Sequence, residues 1–321
     1  KSFFALLARL AFMLRCTLSA LVAFGLAVDN HVRIHMITFV NSMYETRFSE
    51  SLEAKREYAR VNGYEFHLFN ENSLDCEAFR AQRWRGDLRY CKIRALEVVM
   101  REIKRKGRAK GVRYFLFWHD ADTHIMEPAM KLEDFLQAAD YQPMVFTDNA
   151  LSLNNGVFFL EYSKAGLGFF KVWHKTCRQG EWPWADNGCM YEAMLQFVHP
   201  NDYQGSCLKF RSVYDPAKPE PPTGADLMNC FNAEMERMGT GCCGDGSRNI
   251  SGIRFLTESL SFNHHPCDEF KKFFSTEPAE VVERNCFKPG MFLVHTKDTA
   301  YASESFDKVV AFTGAAVNEE L

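Results

Sequence analysis

The chain has 321 residues, of which 47% are hydrophobic, 25% charged and 14% aromatic, and its formal net charge is −3. That balance suits a globular protein with a core large enough for one continuous α/β unit or for two domains. It provides no broad basic surface and so argues against a nucleic-acid partner.

The segment 1–30 differs from the rest. It holds Lys1, Arg9 and Arg15, no acid before Asp29, and an apolar stretch from Cys16 to Val28. The arginines interrupt a clean 20-residue span. A basic flank followed by a short apolar region and small residues fits a secretory signal. A type II membrane anchor through residues 1–28 is the close rival, and a buried N-terminal helix is the third reading.

From Val32 onward short apolar runs alternate with amphipathic stretches. Arg33–Val40 reads as a buried strand. The next segment sets Tyr44, Phe48 and Leu52 on one helical face and stops at Gly63. Tyr64–Phe69 alternates like a strand, and Leu88–Lys106 places Ile93, Leu96, Met100 and Ile103 on one stripe. Tyr114–Trp118 is a wholly apolar third strand. Strand, helix, strand, helix, strand at these lengths predicts a parallel sheet covered on both faces, with ligands at the carboxyl ends of its strands. No G-x-G-x-x-G follows the first strand, which argues against a dinucleotide dehydrogenase.

Farther on, a helix is expected near Lys131–Ala139, strands at Pro143–Thr147 and Gly156–Leu160, and helices at Lys164–Arg178 and Asn187–Phe197. Residues 216–252 are rich in Pro, Gly and Cys and read as a disulfide-tied loop insertion or small subdomain. Strand character returns at Ile253–Leu256 and Met291–His295. Ten cysteines lie beyond Cys16, an even set that reads as disulfides in an oxidising lumen. No C-x-x-C pair supports zinc, and Asn249-Ile250-Ser251 is a glycosylation sequon.

The third strand runs directly into Asp120-Ala121-Asp122. Two carboxylates in a strand-end turn beside apolar walls are costly unless a cation sits there. Hard oxygen ligands suit Mn²⁺ or Mg²⁺ bridging to phosphate oxygens. A D-x-D-x-T/V phosphatase pattern fits worse, because His124 holds the fifth position and Thr123 falls one place early.

Four stretches in order resemble glycosyltransferase family 34, a galactosyl-, xylosyl- and mannosyl-transferase group of GT-A fold. They are Lys55-Arg56-Glu57-Tyr58-Ala59-Arg60-Val61-Asn62-Gly63-Tyr64, Tyr90-Cys91-Lys92-Ile93-Arg94-Ala95-Leu96, the D-x-D followed by Ile125-Met126-Glu127-Pro128, and Leu153-Asn154-Asn155-Gly156-Val157-Phe158-Phe159-Leu160. The resemblance implies an α/β GT-A fold over residues 31–321: a Rossmann-like, mixed and mostly parallel sheet flanked by helices, with a Cys-rich C-terminal portion. It implies a retaining transferase that moves a sugar from a nucleotide diphosphate sugar to a glycan or glycoprotein hydroxyl, in the Golgi or ER lumen.

By the same resemblance Thr38, Phe39 and Asn41 contact the nucleotide, with Lys92, Asn154, Asn155 and Lys297 also on the donor. A solvated helix position is the other reading of Lys92. Asp120 and Asp122 hold the metal and His295 completes its shell, with His264 and His265 as rivals. Asp186 and Asn187 are the expected catalytic pair, orienting donor and acceptor, although Asn187 stands where the family has Gln. Glu161 replaces a usual Arg and is expected to remove a positive charge near the site. Trp182 and Trp184 fit either acceptor platforms or core packing, while Trp118 reads as core. The departures keep open a non-catalytic glycosyltransferase-like subunit or a carbohydrate-binding protein.

Overall fold

A computed structural model describes residues 32–76, 88–149, 152–180, 182–211, 223–239, 249–250, 252–256, 264–265, 267, 279, 283 and 286–296. The N-terminal segment read as a signal or anchor lies outside the described residues, as do Lys297, Cys242 and Cys243. No helix among the described residues is long and apolar enough to cross a membrane.

Strand β1 (Val32–Phe39) is followed by helices α1 (Ser42–Arg47) and α2 (Ser49–Asn62), then by β2 (Glu65–Phe69). The single helix expected here is broken at Phe48, which turns its ring inward at 5% exposure. Gly63 ends α2 with φ +74°, the left-handed cap that only glycine adopts cheaply. A short 3₁₀ turn leads into α3 (Cys91–Lys106), and β3 (Arg113–His119) follows. The predicted stripe on α3 is the buried one: Ile93, Leu96, Met100 and Ile103 are at most 5% exposed. Truncating one of them to Ala would cost about 2–5 kcal/mol.

The chain continues through β4 (Thr123–Ile125), α4 (Leu132–Ala138), β5 (Met144–Asn149) and β6 (Ser152–Glu161). Helices α5 (Lys164–Cys177), α6 (Asp186–Val198) and α7 (Gly224–Arg237) come next, then β7 (Asn249–Ile250), β8 (Ile253–Leu256) and β9 (Leu293–His295). The main sheet has seven strands in the order β2-β1-β3-β6-β5-β8-β7. The β1–β2, β1–β3 and β5–β8 pairs are parallel, whereas β6 runs antiparallel between β3 and β5, and β7 is antiparallel to β8. Five of the seven strands therefore share one direction. The fold is a mixed, mostly parallel α/β sheet flanked by helices, not the all-parallel sheet that the first three strands suggest alone. The reversed β6 brings its N-terminal end beside the carboxyl end of β3.

Helices α2 and α4 cover one face, where Met36, Tyr58, Phe117, Phe135 and Phe159 form a core. Helices α3, α5, α6 and α7 cover the other, around Trp118, Phe158, Trp173, Tyr191 and Phe231. The region expected to be a loop insertion contains α7, because Thr223 and Asp226 make a reciprocal capping box ahead of the apolar Leu227, Phe231 and Met235. Cys207–Cys230 ties that helix down, and Cys76–Cys91 and Cys177–Cys189 are the other bridges among the described residues. Cys267 is a free thiol among the described residues, so the pairing expected of all ten cysteines does not extend to it. A separate two-stranded sheet pairs β4 antiparallel with β9, setting Thr123 opposite His295.

Candidate metal centre

Strand β3 delivers Asp120 to the carboxyl edge of the sheet, where its N–H donates to Gly156 O at 2.8 Å. The turn continues through Ala121, which packs with Val40, Phe48 and Leu52 at the end of β1. The small β4–β9 sheet then returns His295 to the same place. Ligand atoms of Asp120, Asp122 and His295 all lie within 4.8 Å of one another. His295 Nε2 is 3.2 Å from Asp122 Oδ1 and 4.0 Å from Asp120 Oδ2. Two carboxylates and an imidazole are a donor set that fits Mn²⁺ or a similar hard-to-borderline divalent ion.

His295 rather than His264 or His265 supplies the imidazole. Its position is set by backbone: His295 N donates to His264 O, and His265 Nδ1 lies 2.9 Å from His295 O. Gly156 leaves room for the ring, since a Cβ there would fall 2.4 Å from His295 Cε1. Thr296 donates from both N–H and Oγ1 to Asp122 O at 2.9 Å, fixing the second half of the turn.

Behind the acids lie two buried ammonium groups. Lys55 donates to the Asp120 and Ala121 carbonyls at 3.1 and 3.0 Å and is 1% exposed. Burial lowers its pKa to about 7 against the opposing pull of Asp122 and Asp120. Lys92 is 4% exposed, not the solvated helix residue its position allowed. Its Nζ meets Asp186 Oδ2 at 2.8 Å, Asp120 Oδ1 at 3.2 Å, and the Asn155 backbone and side-chain oxygens, both at 2.8 Å. Burial depresses the Lys92 pKa, but Asp120 and Asp186 more than offset this and hold it above the ordinary value.

The two metal-type carboxylates differ in their surroundings. Burial raises Asp120, with Asp122 and Asp186 adding to the rise against Lys92 and His295. Burial also works to raise Asp122, yet His295 and Lys55 prevail and hold it below the ordinary value. Trp118 Nε1 donates to Asp120 Oδ1 at 2.7 Å, and Lys92 Nζ lies 5.3 Å from the centre of the Trp118 ring. The sequence placed Trp118 in the core. It is buried, but its indole N–H also serves the site. Lys55 opened one of the resemblance stretches with no role at the site assigned to it, and Ser51 (whose Oγ donates to Thr123 O at 2.7 Å) and Thr296 carried no signal in the sequence beyond their neighbourhood in the chain.

The remaining expected residues divide by location. Asn155 Nδ2 donates to Asp186 Oδ2 at 2.8 Å, and Asn155 N–H donates to Asn187 Oδ1 at 3.0 Å. The Asn187 amide also reaches Tyr191 OH at 3.1 Å. Asp186 and Asn187 are therefore engaged inward, bracing Lys92 and Asn155, where direct donor and acceptor contacts were expected. Asn154 Oδ1 accepts from Gly156 N–H at 2.6 Å. At the end of β1, Thr38 is fully buried and its Oγ1 has no hydrogen-bond partner among the described residues. Phe39 is half-buried, and Asn41 caps α1 by accepting from Tyr44 N–H at 2.8 Å.

One expectation is overturned. Glu161 is not near the site: it pairs in register with Phe115, four residues back along β3 from His119, and binds Arg113 Nε at 2.6 Å. At ~3.3 Å per residue that places it at the opposite end of the sheet. Of the two readings of Trp182 the structure shows core packing: it is 4% exposed and its Nε1 donates to Thr176 O at 3.4 Å, which leaves no face for an acceptor. Trp184 is 40% exposed and remains open to solvent. Its φ of +59°, with +52° at Ala185, is a left-handed pair ahead of Asp186 that costs of order 1–3 kcal/mol at each residue. Gly188 makes the turn possible, since a Cβ there would meet Pro183 O at 2.0 Å.

The sequence matches no protein-family model and no curated protein. Among solved structures it is similar to a glycosyltransferase involved in the glycosylation of the major capsid of PBCV-1, at 13% identity over 86% of this chain and 98% of that one, with a TM-score of 0.42. It is also similar to galactosyltransferase LgtC in complex with donor and acceptor sugar analogs, at 11% identity over 85% and 94% of the two chains and a TM-score of 0.37. An active-site mutant of LgtC gives 11% identity over 86% and 95%, with a TM-score of 0.34.

Proposed function

We propose that this chain is a metal-dependent glycosyltransferase of GT-A type that uses a nucleotide diphosphate sugar. The convergence of Asp120, Asp122 and His295 at the carboxyl end of β3 carries the reading. At pH 7, with Lys55 partly protonated, Asp120, Asp122 and Asp186 set against Lys55 and Lys92 leave between one and two net negative charges, which favours a divalent cation over a bare anion. Asp120, Asp122 and His295 would hold Mn²⁺ or Mg²⁺, and the ion would stabilise charge on a departing diphosphate. Lys92, Asn155, Asp186 and Asn187 keep Asp120 in place from behind, while Lys55 holds the turn through its carbonyls. Preorganisation of this kind lets the charged groups act without rearranging.

The finer features of the proposal rest on the sequence resemblance: retention of configuration, a hexosyl or pentosyl donor, and a glycan or glycoprotein acceptor. Phe39 and Asn41 border the site beside the cluster that holds Val40 and Ala121 and are assigned to the nucleotide, with Thr38, whose side chain is buried, assigned through its backbone only. Exposed Trp184 is assigned to the acceptor as a stacking face. Three disulfides support residence in the secretory lumen, where such bridges persist. Membrane anchoring through residues 1–28 belongs to this proposal as its alternative to a cleaved signal.

The test is a panel of nucleotide diphosphate sugars with Mn²⁺, scored for hydrolysis, transfer and protection against thermal unfolding. Asp120→Asn with Asp122→Asn should abolish all three. Persistence of transfer in that variant would sink the reading. The inward engagement of Asp186 and Asn187 favours one alternative, a glycosyltransferase-like binding subunit. Mn²⁺-dependent nucleotide binding without hydrolysis or transfer across the panel would identify that alternative.

A further inference from the structure

A second cluster of ligand-type side chains lies on the β1–β2 edge of the main sheet, on the face covered by α3. In the parallel pairing His35 sits opposite Glu65, and Ile37 opposite His67. Alternation along β2 puts Glu65 and His67 on the same face, and the register brings His35 to both. His35 Nδ1 is 3.0 Å from His67 Nε2 and 3.7 Å from Glu65 Oε2. One ligand atom from each of the three lies within 4.8 Å of the others. His35 also pairs with Leu116 on β3, four residues before Asp120. That is ~13 Å along the strand, so this cluster is separate from the metal centre.

We propose that His35, Glu65 and His67 form a second divalent-cation site, selective for a borderline ion of the Zn²⁺ class. Metal–nitrogen bonds of about 2.0–2.1 Å put ligand atoms about 2.9 to 3.4 Å apart in octahedral or tetrahedral geometry; the His35–His67 spacing of 3.0 Å falls in that range, and Glu65, at 3.7 Å from His35, must move inward to join it. Two imidazoles and one carboxylate select such an ion over Mg²⁺ or Ca²⁺, which prefer oxygen.

The surroundings are built as a metal shell is built. Glu102 Oε2 stands 4.0 Å from His67 Nδ1, on the ring nitrogen that faces away from His35. At that distance the carboxylate is an electrostatic neighbour of the ring, and a small closing movement would let it accept a proton from Nδ1 and orient the ligand. Tyr114 stacks on His35 at 6.2 Å and fixes the ring plane. Burial holds His35 at a pKa of about 4 and lowers His67 as well, which keeps both imidazoles neutral and able to ligate at pH 7.

Access is open on one side: the side chains of Glu65 and His67 are 40% and 13% exposed, against 2% for His35. The competitor is Lys106, whose Nζ lies 3.1 Å from Glu65 Oε2 and 2.8 Å from Glu102 Oε1. At 48% exposure it can swing away, and it must do so for an ion to enter.

Competition of metal-free protein against a chromophoric Zn²⁺ chelator measures this site without reference to any activity. His67→Ala and Glu65→Gln should each weaken one Zn²⁺ equivalent by ~10-fold or more, with circular dichroism showing a folded chain. Lys106→Ala should tighten the same equivalent several-fold, because it removes the charge that competes for Glu65. His295→Ala should leave this equivalent in place, so failure here is distinct from failure of the transferase reading. The proposal is overturned if Glu65→Gln leaves every Zn²⁺ affinity unchanged, or if Lys106→Ala fails to tighten binding. Glu65, half in solvent, keeps the test valid should His67→Ala not fold.

Discussion

Lys92 Nζ lies 2.8 Å from Asp186 Oδ2, and both side chains are only 5% exposed. The pair joins the first turn of α3 to the first residue of α6 across the start of β6, with Asn155 bonded to both partners. Removing one partner leaves an uncompensated buried charge. Lys92→Met is therefore expected to cost about 3–5 kcal/mol, and Lys92→Met combined with Asp186→Leu should recover a substantial part of that loss. Urea denaturation midpoints would show it; a Lys92→Met cost below ~1 kcal/mol would mean the pair is not desolvated as the geometry requires.

That pair also shows where the sequence was readable. The period of the apolar residues placed α5 and α6 to within one residue and the carboxyl end of α3 at its residue, because buried stripes and caps are local signals, whereas the break between α1 and α2 at Phe48 was not visible in it. Asp120 and Asp122 were legible because acids ending an apolar strand need a counter-charge. What supplies the counter-charge was not: Lys92 was expected on the nucleotide donor or in solvent and Lys55 entered only as part of a resemblance stretch, and tertiary packing is what turns both toward the acids. The antiparallel β6 was equally hidden, since strand direction depends on a connection rather than on composition. For the same reason Glu161 was placed beside the site, when the reversed strand carries it to the far end.

Gly156 is required by contact rather than by conformation. A Cβ there would stand 2.4 Å from His295 Cε1 and 2.8 Å from Asn154 Oδ1, so the imidazole must move. Gly156→Ala should weaken Mn²⁺-dependent nucleotide binding by ~10–100-fold, the usual effect of disturbing a ligand's support. Thermal-shift titration with Mn²⁺ and nucleoside diphosphates would measure this. An unchanged Mn²⁺ dependence would remove His295 from the metal shell.

The Cys76–Cys91 bridge ends one residue before Lys92 and closes a loop with a sequence separation of 15. A loop of that length restricts the unfolded chain enough to contribute about 3 kcal/mol. Cys91→Ser should therefore lower stability by about that amount, and its effect on nucleotide affinity should exceed that of Cys207→Ser, which breaks a bridge on α7. Equal effects on affinity in the two variants would show that the first bridge does not position Lys92.

Glu192 tests the pH dependence away from both metal-type clusters. Its carboxylate is fully buried in α6, accepting from Gln196 Nε2 at 2.7 Å and from Tyr203 OH. Burial raises its pKa above 4.5, although Tyr203 and Gln196 oppose the rise. Between 4.5 and that higher value the folded chain holds a proton that the unfolded chain has released, so stability falls as pH rises through this window. Glu192→Gln cannot titrate and keeps a side chain of the same shape that can still bond Tyr203 and Gln196. It should abolish this part of the fall, leaving a flatter profile of denaturation midpoint from pH 4.5 upward. Parallel profiles for the parent and the variant would show instead that hydrogen bonds from Tyr203 and Gln196 fully compensate the buried charge.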